Sequence, residues 1–296
     1  MIVDAHLHLF RPAAISPRAV DTLAPADRDA PVEELLELHR SFGVERAVMV
    51  PLGPEDGYLG EVLRRYPTRF AGVAVASSAT EGRDPDADPV DDLMRRREAV
   101  PFHGLRALWL GDPSRRLAES PMLPVLRRMQ ELGMVLWSYL PEEQLDLLDQ
   151  LAAMMPDLAV VLNHFGFCPR AMQVDRLGRP WFKQPLTLQT LPKVLHLASY
   201  PRVHLMFSGQ YAFSREDPPY RDLGEVVFLL LEAFGSHRTM WASDWPWIRE
   251  SPGYGALLSL PPTLMSGASS DELVDVMGGT ALRLFPHLAS TTRLTC

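Results

Sequence analysis

Cysteine is nearly absent: Cys168 and Cys296 are the only two in 296 residues, too few for a disulfide framework. Lysine is as scarce. Of 29 basic residues only Lys183 and Lys193 are lysines, so a mechanism that needs a lysine has two candidates. No apolar run approaches the roughly 18 residues that span a bilayer. Strand-like sequence starts at Ile2, leaving no room for a signal peptide with a basic start and an apolar middle. The expectation is therefore a cytoplasmic protein with no membrane partner. A formal net charge of -8 also disfavours nucleic acid and anionic lipid as partners. What remains is a small-molecule substrate, with a homo-oligomer left open.

The chain has plenty from which to build a core, with 47% hydrophobic and 22% charged residues. Apolar runs of strand length alternate with amphipathic segments, the pattern of a parallel sheet. Strands are expected near Ile2–His6, Arg46–Val50, Phe70–Ala76, Gly104–Leu110, Met134–Tyr139, Ala159–Asn163, Val203–Phe207 and Thr239–Trp241. Helices are expected from Pro31 to Arg40, Met122 to Leu132, Pro141 to Met155 and Leu223 to Phe234, with Pro31 suited to a first helical turn. Eight strand–helix units in this length predict a single α/β domain over 1–296, a slightly irregular (β/α)8 TIM barrel. A long loop after the sixth strand, 165–199, is expected to wander over the barrel mouth. Ser78–Asp92, rich in Asp, Pro and Gly, reads as an exposed loop, and 286–296 as a peripheral tail.

Catalytic side chains of such barrels sit at the carboxyl ends of the strands. The first strand ends in His6-Leu-His8, whose imidazoles, two apart, project to one side. The fourth carries Arg106 and then Trp109, and the fifth ends in Trp137-Ser-Tyr139. The sixth runs into Asn163-His164, the seventh into Ser208-Gly-Gln-Tyr211, and the eighth into Ser243-Asp244-Trp-Pro246. Three histidines and one aspartate thus converge. Such a set can hold one zinc ion with an open position. Without metal, it can polarise a carbonyl while the carboxylate takes a proton from water. Burial near Trp241, Trp245 and Trp247 predicts a raised pKa for Asp244. Asp244 before Trp-Pro would also serve as a turn residue, and His164 as a core histidine bonded to a carbonyl. His39, His196, His237 and His287 read as structural or solvated, and His103 and His204 as packing.

These residues together resemble the amidohydrolase superfamily, specifically amidohydrolase family 2 and its lactonases of the 2-pyrone-4,6-dicarboxylate and L-fuconolactone type. The resemblance runs from Val3-Asp-Ala-His-Leu-His-Leu-Phe10 to Ser243-Asp-Trp-Pro246. Between them, Gly104-Leu-Arg-Ala, Asn163-His-Phe-Gly and Phe207-Ser-Gly-Gln-Tyr211 with Pro218-Pro-Tyr220 are similar to the family's later strand ends. The resemblance implies a hydrolase acting on a small cyclic ester, most simply a lactonase. Asp244 would activate water, and His6, His8 and His164 would polarise the carbonyl. Arg106, Tyr139, Ser208 and Tyr211 would bind the substrate, with Arg106 on a carboxylate.

Departures from the family pattern carry information too. Neither lysine is near the fourth strand, which excludes the binuclear members that carbamylate a lysine there. The fifth strand lacks the histidine that many mononuclear members use. A single zinc or manganese would rest on His6, His8 and Asp244, with His164 as a further ligand, and would reopen the alternative of a metal-dependent decarboxylase. The favoured expectation is no cofactor. Where dicarboxylate lactonases have two arginines, this chain has Phe167 and Ala212, with Arg215 some way on. A carboxylate left without its guanidinium would bind several kcal/mol more weakly. The substrate is therefore expected to be less charged and more aromatic than pyrone dicarboxylate, with Phe165, Phe167, Trp137, Tyr139, Tyr211 and Trp245 around it. An asparagine of the family before the last helix is replaced here by Gly278-Gly.

Overall fold

The computed structural model describes residues 1–290 except 188. Ten strands occur among them: β1 (Ile2–Leu7), β2 (Val44–Met49), β3 (Phe70–Val75), β4 (Gly104–Ala107), β5 (Val135–Ser138), β6 (Ala159–Leu162), β7 (Gln173–Val174), β8 (Pro180–Trp181), β9 (Val203–Phe207) and β10 (Thr239–Trp241). Eight of them form one sheet in the order β1-β2-β3-β4-β5-β6-β9-β10, all parallel. The sheet is closed just beyond the strand ends, where His8 N–H donates to the Trp245 carbonyl and Asp244 N–H to that of His6. Helices lie between the strands, as in a (β/α)8 barrel. The eight strands expected from the sequence are all present, with ends moved by a few residues. β4 is shortest against expectation and stops at Ala107.

Alternation along each strand separates two cores. Val3, Ala5, Val48, Val73, Val135, Trp137, Val161, Met206 and Met240 fill the barrel interior. Leu105, Leu136, Val160, Leu162, Leu205 and Phe207 face the surrounding helices. The helices expected at 31–40, 122–132 and 223–234 are α1 (Val32–Phe42), Leu123–Glu131 and Gly224–Phe234. The one expected over Pro141–Met155 opens as a short 3-10 turn and becomes α-helical at Leu145–Met154.

Two expectations fail for physical reasons. Ser78–Asp92 is not simply an exposed loop, because a helix begins at Pro89 and Thr80, Glu81 and Asp92 are buried. Glu81 is paired with Arg83, and Thr80 and Asp92 are satisfied by each other and their neighbours. Asp92 Oδ2 accepts from the hydroxyls of Ser77 and Thr80 at 2.8 and 2.6 Å, while Arg96 donates to Thr80, Asp56 and the Val75 carbonyl. The tail is not peripheral at its start either. Pro286–Ala289 form a turn whose Leu288 is fully buried beside Phe285 under the barrel floor; the end of that tail, 291–296, lies outside the described residues. Gly278 is explained by close approach, since a Cβ there would meet the Met1 carbonyl oxygen at 2.4 Å.

His103 and His204 are packing residues at the barrel floor, as expected. His103 Nδ1 accepts the Gly72 N–H at 3.2 Å, and its ring stacks on His287 at 3.9 Å. His204 lies against the Val160 and Arg202 carbonyls. Burial, aided in His103 by the neighbouring His287, pushes both down to about 4. The unfolded chain then binds more protons between about pH 6.5 and 4, so this stability is present above 6.5 and is lost as the pH falls. By pH 5 each should cost about 2 kcal/mol. Urea unfolding at pH 7.5 and pH 5 checks this, and equal stabilities at the two would contradict it.

Candidate active site

At the carboxyl end of the barrel the strands deliver His6 and His8 from β1, Arg106 from β4, Tyr139 after β5, His164 after β6, Ser208 and Tyr211 after β9, and Asp244 after β10. All but Ser208 and His6 border one cavity of about 230 Å³. Asp244 and His164 adopt positive φ of 61° and 47°, a left-handed backbone that non-glycine residues rarely take. Gly209, at φ 84°, allows the β9 loop to close over His164, whose ring a Cβ would meet at 3.1 Å. The turn carrying Asp244 is held from behind. Asp4, fully buried, accepts the Ser243 N–H at 2.8 Å, the Ser243 hydroxyl at 2.5 Å and the Tyr254 hydroxyl at 2.8 Å.

Asp244 is the hub. Its Oδ2 accepts the Tyr211 hydroxyl at 2.7 Å and lies 3.9 Å from His164 Nε2. Its Oδ1 is buried, has no hydrogen-bond partner among the described residues and lies 3.6 Å from Nε2 of both His6 and His8. Burial alone would raise its pKa, the direction expected from the sequence. His164, His8 and the Tyr211 hydroxyl outweigh it, so the carboxyl is held below its ordinary range. Asp244 is thus ionised at neutral pH. Burial holds His6 well below the usual histidine range and His164 at about 4, so both are neutral there. Burial, then Asp244, pushes the Tyr211 phenol well above its usual range, keeping its hydrogen in place.

Arg106 is, among the described residues, the one guanidinium bordering the cavity. Its plane lies 4.8 Å over the Tyr139 ring, and among the described residues no hydrogen bond reaches the guanidinium, with Nε buried and unpaired. Arg215 is turned away onto the Phe182 and Lys183 carbonyls, and Phe167 packs on Phe213. The two missing arginines are therefore not replaced from elsewhere.

Several expectations are redistributed. Ser208, expected to touch substrate, lies behind His164, its hydroxyl 2.8 Å from Nδ1. His6 is fully buried beneath the other imidazoles rather than open to the cavity. Of the aromatic residues expected around the substrate, only Tyr139 and Tyr211 line it; the wall is completed by Phe182, Phe213 and Trp247. Trp109 lies outside, under Arg83. One contribution went unforeseen, and another was expected only as a loop without its residues. Ala19, Asp21, Leu23 and Ala24 come from the long connection between β1 and α1, and Met172, Pro180 and Phe182 from the β7–β8 hairpin. The hairpin lies within the long loop expected over the mouth. The signal for the first was available: 24 residues separate Leu7 from Val32, far more than a βα turn needs.

A match to the amidohydrolase family model extends over residues 3–287. This chain belongs to that family. It is 25% identical over 279 residues to a 4-sulfomuconolactone hydrolase of Hydrogenophaga intermedia, covering 91% of this chain and 83% of that enzyme. It is 25% identical over 268 residues to an L-fucono-1,5-lactonase of Burkholderia ambifaria, covering 86% and 83%. A crystal structure of a Burkholderia multivorans amidohydrolase with bound zinc shares the fold, with a TM-score of 0.73 at 21% identity over 97% of this chain and 99% of that one. No helix among the described residues is long and apolar enough to cross a membrane.

Whether the residues here suit such an ion can be tested on their chemistry. His6, His8 and Asp244 offer one donor atom each, all within 4.8 Å of one another, and the spacing suits a divalent cation. The hydrogen bonding of His6 does not, because its Nδ1 accepts the Trp137 indole N–H at 3.0 Å. A metal-bound imidazole donates through its other nitrogen. His8 has that arrangement, with Nδ1 2.8 Å from the Val50 carbonyl; His6 has the reverse.

Proposed function

We propose that this amidohydrolase opens a small lactone bearing one carboxylate or sulfonate, using water activated by Asp244 and no metal. The observation that carries this is the buried, ionised Asp244 Oδ1 with no protein partner, beside the cavity and beside an unpaired guanidinium. The two lactonase relatives support the substrate class. A volume of about 230 Å³ suits a single ring with a short substituent.

The lactone carbonyl would lie near His164, whose Nε2 keeps a hydrogen when the Ser208 hydroxyl donates to Nδ1. A donor placed where the oxyanion forms stabilises it as it develops. Water between Asp244 Oδ1 and His8 Nε2 gives one hydrogen to each acceptor and attacks the carbonyl carbon. Asp244 takes its proton as the carbon–oxygen bond forms, and the proton passes to the ring oxygen as the ester bond breaks. Arg106 holds the acid group, with Tyr139 beneath it. No covalent intermediate is needed.

The test is lactone hydrolysis before and after chelation, with metal content measured on protein purified without added metal. Undiminished hydrolysis with far less than one metal per chain is the expected outcome. About one zinc or manganese per chain, with activity lost on chelation, would overturn the metal-free mechanism and bring back the decarboxylase alternative.

A further inference from the structure

We infer that Trp137 and the Val50 carbonyl set the two histidines of the His6-Leu-His8 motif in opposite tautomers, making His6 a fixed donor to Asp244. The inference rests on the reading of Asp244 as the base, and makes Trp137 and His6 positioning residues for it. It begins with the chemistry of one side chain. An indole N–H only donates. It lies 3.0 Å from His6 Nδ1, with the two ring planes within 14° of parallel. Nδ1 is the acceptor of that bond. Both side chains are fully buried, so water does not compete for either group. Nδ1 must therefore be bare, and the one hydrogen of a neutral imidazole sits on Nε2.

His6 Nε2 has no other hydrogen-bond partner, and neither has Asp244 Oδ1, which it faces at 3.6 Å. A small closing movement would complete that bond. His8, two residues on, is set the other way. A carbonyl only accepts, so the Val50 oxygen 2.8 Å from His8 Nδ1 calls for a hydrogen on that nitrogen. In neutral His8 this leaves a lone pair on Nε2, also 3.6 Å from Asp244 Oδ1. One imidazole thus gives a hydrogen to the carboxylate, and its neighbour offers a second acceptor beside it.

The arrangement also explains why the cluster is a poor chelate. A cation shared by both Nε2 atoms would need lone pairs on both. His6 could supply one only by moving its hydrogen to Nδ1, against the indole N–H, or by losing it altogether. The first would set two buried donors face to face, and a buried donor without an acceptor is costly; the second would leave a buried imidazolate. Trp137 is the residue that decides between the two chemistries. It stands on the fifth strand, across the barrel interior from β1.

The experiment is a long-range hydrogen–nitrogen NMR correlation on protein labelled with ¹⁵N-histidine and freed of metal, with His6 assigned from the spectrum of His6→Gln. The expected result is hydrogen on Nε2 of His6 and on Nδ1 of His8. Hydrogen on His6 Nδ1 would overturn the inference outright, and because no substrate is present, the result is independent of the lactonase reading. Trp137→Phe then removes the donor while keeping an aromatic ring. His6 should populate both tautomers, kcat should fall tenfold or more with KM nearly unchanged, and zinc affinity by equilibrium dialysis should rise at least tenfold. Unchanged tautomer and unchanged zinc affinity in that variant would also overturn it. If the variant does not fold, the wild-type spectrum alone decides. A correct tautomer with no loss of hydrolysis in Asp244→Asn would instead remove the base reading and leave the tautomer assignment standing.

Discussion

Asp244→Asn is expected to lower kcat for lactone opening by about a thousandfold, within the 10²–10⁴ range of a positioned general base, while KM changes little. The amide keeps the size of the carboxylate and can still accept the Tyr211 hydroxyl through its oxygen. What it lacks is basicity at the atom facing the cavity. Because Asp244 is held below the ordinary carboxylate range by His164, His8 and Tyr211 despite burial, its acid limb should lie at low pH. Activity should therefore be flat from neutral pH down to moderately acid values. The variant should be slow at every pH rather than shifted along the axis. Steady-state kinetics from pH 5 to 8 on both proteins checks this. Similar rates in the two would remove Asp244 as the base.

Arg106→Gln is expected to raise KM for an anionic lactone by about 30- to 4,000-fold, from the roughly 2–5 kcal/mol lost when one member of a buried charge pair is truncated. The guanidinium is partly buried at the cavity wall, lies over Tyr139 and has no hydrogen bond from the described residues, so its natural partner is the substrate. A neutral lactone of the same ring size makes no such pair and should be nearly unaffected, or even bind better. Comparing KM for the acid and its methyl ester in both proteins separates recognition from folding. Equal losses on both substrates would mean that Arg106 supports the cavity rather than reads a charge.

The barrel was readable because eight apolar runs alternate with amphipathic segments, and the strand ends carried the polar residues that a barrel core cannot accept. His6, His8, His164, Arg106, Tyr139, Tyr211 and Asp244 were legible for that reason: each lies near or just past the carboxyl end of a buried-type strand. The parts that escaped depend on through-space partners. Nothing near Asp244 in the chain shows that Tyr211 and two histidines offset its burial. Likewise nothing in Trp137-Ser-Tyr139 shows that the indole nitrogen reaches back to β1 across 131 positions of sequence. The buried network of Thr80, Asp92 and Arg96 was hidden for the same reason, since polar residues read as exposed until their partners are known. The loop from 8 to 31 supplies wall residues without any motif of its own.

One irregularity in β1 has a wider meaning. Its pairing with β2 slips between Asp4 and Leu7, so that Val3 and Ala5 fill the barrel while Asp4 and Leu7 face the helices. His6 then turns to the mouth beside Ala5, out of step with strict alternation. The pairing also shifts between Ile2 and Val3, and it is the second shift that uncouples two parities along one short strand. Below the second slip the odd residues fill the barrel interior, and above it the even ones serve the chemistry. A ladder without the slip would aim the imidazole of His6 at the helical layer, on the side where Asp4 now braces the Ser243 turn. Insertions and deletions in this strand are thus restricted far more tightly than substitutions. The first eight residues can change in kind at the barrel floor, but hardly in number.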